Sequence, residues 1–202
     1  RKAFYILNFL LLGSFLAAVA VDQDREWKDY QKKYYRMEGE SLRKKLETAP
    51  EGDTPELKAQ IASFKRRPVE IKQIIVDDLG RVDRCITCHA GMDEFTNPSM
   101  TTGFKEHPFA ADQGDIPKLH DFKKFGCTSC HDGQGRAVTF EDAHAKGVEK
   151  FWEKPLLRKP FIEATCVRCH ADALSQTPAY NLGKQLFQQK ACFACHSIGD
   201  IG

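Results

Sequence analysis

Lys124-Phe-Gly-Cys127-Thr-Ser-Cys130-His131-Asp-Gly-Gln-Gly135 holds the unit that decides how this chain is read: two cysteines, two residues apart, followed at once by a histidine. The same unit recurs at Cys85-Ile-Thr-Cys88-His89, Cys166-Val-Arg-Cys169-His170 and Cys192-Phe-Ala-Cys195-His196. The four copies consume all eight cysteines. Cysteines so spaced lie about one helical turn apart, so each unit presents two thiols and an imidazole from one short turn.

Three chemistries compete for such a set. Four disulfides would suit a small exported domain, but a bridge framework gives no reason for a histidine after every pair. Structural zinc uses paired Cys-x-x-Cys units, yet needs no histidine directly after each, and separations of 42, 39 and 26 residues between first cysteines match no zinc repeat. Covalent haem c explains every residue: the two thiols become thioethers and the adjoining histidine binds iron. The expected cofactors are therefore four haem c groups. Cys85, Cys88, Cys127, Cys130, Cys166, Cys169, Cys192 and Cys195 would hold them, with His89, His131, His170 and His196 as proximal iron ligands.

Composition agrees with this reading. After Val76, runs of Leu, Ile and Val are scarce, as expected where porphyrins supply the core. The net charge is only +2, and Arg1 and Lys2 account for it, so there is no cationic surplus to suggest nucleic acid.

Ala3 to Val21 is apolar apart from Asn8, Gly13 and Ser14. At about 1.5 Å per residue it matches a hydrocarbon layer of about 30 Å. A cleaved signal peptide is the rival reading, with Ala18-Val-Ala20 as the processing site. The length of the apolar run favours an anchor, and its small-residue face of Gly13, Ser14, Ala17 and Ala18 suits a partner helix in the membrane. Arg25, Lys28, Lys32, Lys33 and Arg36 follow the segment, which by charge alone would keep the rest in the cytoplasm. Haem c is attached on the outer face of bacterial inner membranes, and four acidic residues interleave with those cations. We therefore expect the haem part on the periplasmic side.

The expected architecture is mainly α with much irregular structure. Its parts are a transmembrane anchor (1–21), polar juxtamembrane helices (22–67), a strand and linker (68–84), a trihaem domain (85–178) and the start of a monohaem domain (179–202). Trp27, Tyr30, Tyr34 and Met37 form one apolar stripe and Tyr35, Leu42 and Leu46 a second. Trp27 and the tyrosines also stand where an interfacial aromatic belt would fall. Thr54 is the expected cap of a helix starting at Pro55 and running to about Arg67. Val69 to Val76 reads as one strand. Gly133-Gln-Gly135-Arg lacks a nucleotide fingerprint and reads as a turn letting backbone approach a porphyrin.

Low-spin haem needs a second axial ligand. The candidates are His107, His120, His144 and Met92, and the pattern leaves open which serves which iron. A thioether from Met92 would raise the potential of its haem above that of a bis-histidine one.

From the anchor through the third motif the chain resembles membrane-anchored multihaem c-type cytochrome subunits that accompany a quinol-oxidising cytochrome b. The features that carry the likeness are the anchor with its polar helix, Asp78-Leu-Gly-Arg-Val-Asp-Arg-Cys85-Ile-Thr-Cys-His89, and the stretch quoted at the outset. Gly183-Lys-Gln-Leu-Phe187 leading into Cys192-Phe-Ala-Cys195-His196 resembles the opening of a class I cytochrome c, a family whose distal methionine lies much further on. That comparison leads us to expect further chain, or a partner, on the distal side of the fourth haem. The resemblance implies a relay taking electrons from integral membrane quinol-oxidising, cytochrome b-like subunits to a periplasmic acceptor. It departs from small single-anchor quinol dehydrogenases in the long insert from 22 to 84, which places quinol oxidation with the partner. The alternative is a multihaem reductase of a small nitrogen or sulfur oxyanion, requiring an open iron and a general acid beside it.

Overall fold

Residue by residue, the computed structural model describes 1–92, 119–147, 151–170 and 177–198. The described residues are mostly helical with few strands. Packing divides the chain into two units, Arg1–Lys72 with Ile86–Glu106, and Gln73–Cys85 with His107–Gly202.

The first unit opens with α1 (Lys2–Gln23), which is apolar around its whole circumference and buries no residue. It is long and apolar enough to cross a membrane. Its polar side chains are satisfied within the helix, as an apolar solvent demands. Asn8 Nδ2 donates to the Phe4 carbonyl at 2.7 Å and Ser14 Oγ to the Leu11 carbonyl at 2.8 Å. The helix ends where Asp22-Gln-Asp24 brings charge, with Asp24 at φ −100°, ψ 57°.

A second helix, α2 (Glu26–Thr48), begins with Glu26 and Asp29 in its first turn, where the helix dipole favours anions. Its buried residues are Trp27, Gln31, Tyr34, Glu38 and Leu42. The expected stripes hold in part, since Tyr30, Tyr35 and Met37 pack partly buried against Tyr34, but the fully buried row cuts across them. Spacings of four, three, four and four place Leu42 in line with Trp27 and Tyr34, and two polar residues complete the row. Trp27 and Tyr34 are 6% and 2% exposed, so they pack inside the protein and form no headgroup belt.

Gln31 is tolerated there because its amide is fully used. It donates to the Glu70 carbonyl (2.6 Å) and the Thr87 carbonyl (2.9 Å), and accepts from Glu70 N–H (3.1 Å). Such satisfaction is what a buried amide requires.

The chain then folds back as α3 (Thr54–Arg66) against α2, with Phe64 6.5 Å from the Tyr35 ring. Thr54 is the first helical residue and Asp53 precedes it as the cap, a shift of one from the expected start. Such one-residue shifts are ordinary at helix ends.

In the second unit the expected single strand is a hairpin. β1 (Ile74–Val76) pairs antiparallel with β2 (Arg81–Asp83), Ile74 opposite Asp83. A 3₁₀ turn at Asp77–Leu79 and Gly80 at φ 58° reverse the chain, a backbone angle that suits glycine. Val69 to Gln73 does not pair.

Short helices follow: α4 (Phe122–Phe125), α5 (Thr128–His131), α6 (Phe140–His144), a 3₁₀ helix over Lys159–Arg168, α7 (Pro178–Gln189) and a 3₁₀ turn at Cys192–Ala194. Among this unit's described residues the buried apolar side chains are Ile74, Val76 and Ala145. Among the described residues these three side chains make no extended aliphatic core.

Candidate cofactor-attachment sites

The second, third and fourth motifs close the same turn. The N–H of the second cysteine donates to the first cysteine's carbonyl at 3.2 Å in each of the three. The histidine N–H donates to that same carbonyl, at 3.0 Å in the second motif and 2.9 Å in the others. The first motif begins on a 3₁₀ turn, Cys85–Thr87, and Met92 N–H donates to the His89 carbonyl at 3.3 Å. None of the eight cysteines is in a disulfide.

Residues inside and beside the motifs tie them to their surroundings. Asp83 is fully buried, and its Oδ2 accepts from the N–H groups of Cys127 (2.7 Å) and Thr128 (3.0 Å). It thereby caps the turn of the second motif from the end of β2. Gly135 lies against the same carboxylate, where a Cβ would overlap Asp83 Oδ1 and the Val82 carbonyl, and its own carbonyl accepts from Arg84 N–H at 2.6 Å. This glycine-rich turn approaches β2 closely. Thr87, between the cysteines of the first motif, donates to the Lys72 carbonyl (2.7 Å) and accepts from Lys72 N–H (3.0 Å).

The motifs also touch one another. The Cys85 and Cys127 thiols are hydrogen-bonded, which lowers the Cys85 pKa against the opposing effects of burial and the Asp83 charge. Burial raises the Cys130 thiol, and its neighbours Cys166 and Cys169 raise it further. Thr165 Oγ1 donates to the Cys130 carbonyl at 3.1 Å. Arg168, between the cysteines of the third motif, grips Asp132 with two parallel bonds of 2.7 and 2.8 Å. Asp132 directly follows His131, is 4% exposed and stands at φ 54°, an unusual angle for a non-glycine residue. The Arg168 fork holds its carboxyl below the ordinary carboxylate range.

The fourth motif has looser surroundings. Glu163 Oε2 caps α7 by accepting from Ala179 N–H (2.7 Å) and Tyr180 N–H (3.0 Å). Leu182 and Leu186 of α7 are exposed, however, and beyond it Phe193 is 47% exposed and Ile198 is exposed as well.

These residues fit haem c on several observations. The cysteines of each repeated turn are not in disulfides, and in the second, third and fourth motifs the histidine closes the same turn as the cysteines. Burial pushes the His131 pKa down, favouring the neutral ring that metal ligation needs. Trp152 Nε1 is a buried donor without a protein partner, in a stretch whose Lys154 carbonyl accepts from Gly133 N–H (3.1 Å) and whose Leu157 N–H donates to the His131 carbonyl (2.9 Å). Such a donor suits a porphyrin propionate. Among the described residues no three histidine, cysteine, aspartate or glutamate side chains gather into a protein-only metal site. Zinc would need four such ligands, whereas haem iron needs one or two.

Two distal candidates can be placed. His144 Nδ1 donates to the Phe140 carbonyl at 2.9 Å, fixing the tautomer whose Nε2 carries the lone pair, an arrangement common to metal-binding histidines. The His120 ring lies 5.1 Å from Phe125 and 6.0 Å from His170. Met92 shares a turn with His89, and His107 lies outside the described residues. Sequence reasoning missed Asp83, Asp132 and Arg168. Only the placement of Asp132 beside His131, and of Arg168 within a motif, offered a signal.

No protein-family model, curated protein or solved structure matches this chain.

Proposed function

We propose that the chain is a membrane-anchored tetrahaem c-type cytochrome that relays electrons from a quinol-oxidising, cytochrome b-like membrane partner to a periplasmic acceptor. The observation that carries this reading is the linkage between motifs: the Arg168 fork on Asp132 and the Thr165 bond to the Cys130 carbonyl tie the third to the second, and Asp83, two residues before Cys85, holds the Cys127 N–H. Haem c bound there supplies one-electron ferric–ferrous couples. The protein's part is to hold neighbouring attachment points at fixed short range. Asp83 fixes the second turn, Arg168 and Thr165 lock the third onto it, and Glu163 fixes the helix leading to the fourth. The helix α1 suits a membrane anchor, and the covalent motifs set the periplasmic side as the compartment in this reading.

Low-temperature EPR of the full chain in detergent, with nitrite or hydroxylamine added, tests the relay. The haems of the first three motifs are expected to be low-spin and indifferent to either compound. A high-spin signal that shifts on addition, with turnover of the added compound, would replace the relay by a reductase.

A further inference from the structure

We infer that His120 and His170 are the two axial ligands of one iron, that of the haem on Cys166 and Cys169. This rests on the reading of the motifs as haem attachments and deepens it by assigning a distal ligand. The two residues are fifty positions apart, yet their ring centres lie 6.0 Å from each other. In a linear nitrogen–iron–nitrogen arrangement, two metal–nitrogen bonds of about 2 Å and about 1.2 Å from each nitrogen to its ring centre place the centres about 6.4 Å apart. The observed 6.0 Å separation is within about half an ångström of that span.

The local sequence holds His120 in place. Asp121 caps α4 by accepting from Lys123 N–H at 2.9 Å, which fixes the chain immediately after His120. Phe125, at the other end of α4, meets the His120 ring edge-on at 5.1 Å. His170 is fixed by the third motif's own turn, its N–H donating to the Cys166 carbonyl. His120 thus has both an aromatic ring and the third motif's histidine within ring-contact distance. His144 lies on another helix with its ring against Phe140 at 4.4 Å, which leaves it for a different iron.

The 75° angle between the rings adds a signature that needs no mutation. Near-perpendicular axial imidazoles give low-spin ferric haem a strongly axial EPR signal, whereas near-parallel ones give a rhombic signal. The holoprotein is expected to show one strongly axial component. His120→Ala should remove that component and convert one haem's worth of iron to high-spin, with the haem count unchanged and the low-spin state restored by added imidazole. His120→Met should keep the iron low-spin and raise one reduction potential.

A His120→Ala protein that carries its full haem complement and retains the axial signal would overturn the pairing and leave the relay reading intact. A wild-type spectrum with rhombic components alone would overturn it too, even if the alanine variant failed to mature. Absence of haem from Cys166 and Cys169 in the wild type would instead overturn the reading on which the pairing rests.

Discussion

The second and third motifs and the fourth fold into the same turn with nearly the same hydrogen-bond lengths, yet their surroundings differ sharply. In the second and third, residues in or beside the motif reach outward. Asp83 caps one turn, and the Asp132–Arg168 fork and Thr165 join it to the other. In the fourth, the intervening Phe193 points to solvent and nearby leucines are exposed. The turn is therefore a property of the local sequence, while the spacing between motifs comes from side chains that local sequence does not dictate. A motif without such braces does not have its distance to the next one fixed.

The largest test of this contrast removes attachment points. Replacing Cys127 and Cys130 with serine should lose one haem and unsettle the second unit as a whole, costing several kcal/mol, at about 4–8 °C of Tm per kcal/mol. Replacing Cys192 and Cys195 should lose one haem and leave the thermal transition and spectra of the other three unchanged. Equal losses in the two variants, read by intact mass and calorimetry, would erase the distinction.

A smaller effect is expected from Gly135→Ala. The new methyl would overlap Asp83 Oδ1 and the Val82 carbonyl, and a backbone contact of that kind costs about 1–3 kcal/mol to relieve. Denaturant unfolding should show it, whereas Gly183→Ala in α7, where a Cβ meets nothing, should be neutral or stabilising.

The smallest effect concerns Asp132. Arg168→Ala should cost about 1 kcal/mol at pH 7, discounted because Arg168 is 41% exposed. The folded Asp132 pKa lies below its unfolded value, so the pair's contribution is fully present above the unfolded carboxylate range. It is lost as pH falls through the folded value. The stability gap between wild type and variant should be flat near neutrality and close below about pH 4. A gap that widened in acid would contradict this assignment.

What could be read from sequence was what depends on near neighbours. The α1 helix follows from a continuous apolar run, and the repeated turns from Cys-x-x-Cys-His itself. What depends on distant partners could not be read. Gln31 and Glu38 look like solvent-facing positions of α2 until Glu70 and Thr87, far along the chain, are seen to use the Gln31 amide. Val69 to Val76 looked like one strand because alternation does not reveal where pairing begins. Asp83 was hidden in the same way, since its partners Cys127 and Thr128 lie more than forty residues away.

The central claim is most directly tested by the intact mass of the full chain produced in a host with haem c maturation, together with haem staining after denaturation. The account predicts a mass excess of four haems that survives denaturation, falling by one haem for each motif whose cysteines are replaced. A chain that matures without covalent haem, or whose mass shows bound zinc or four disulfides, would contradict it.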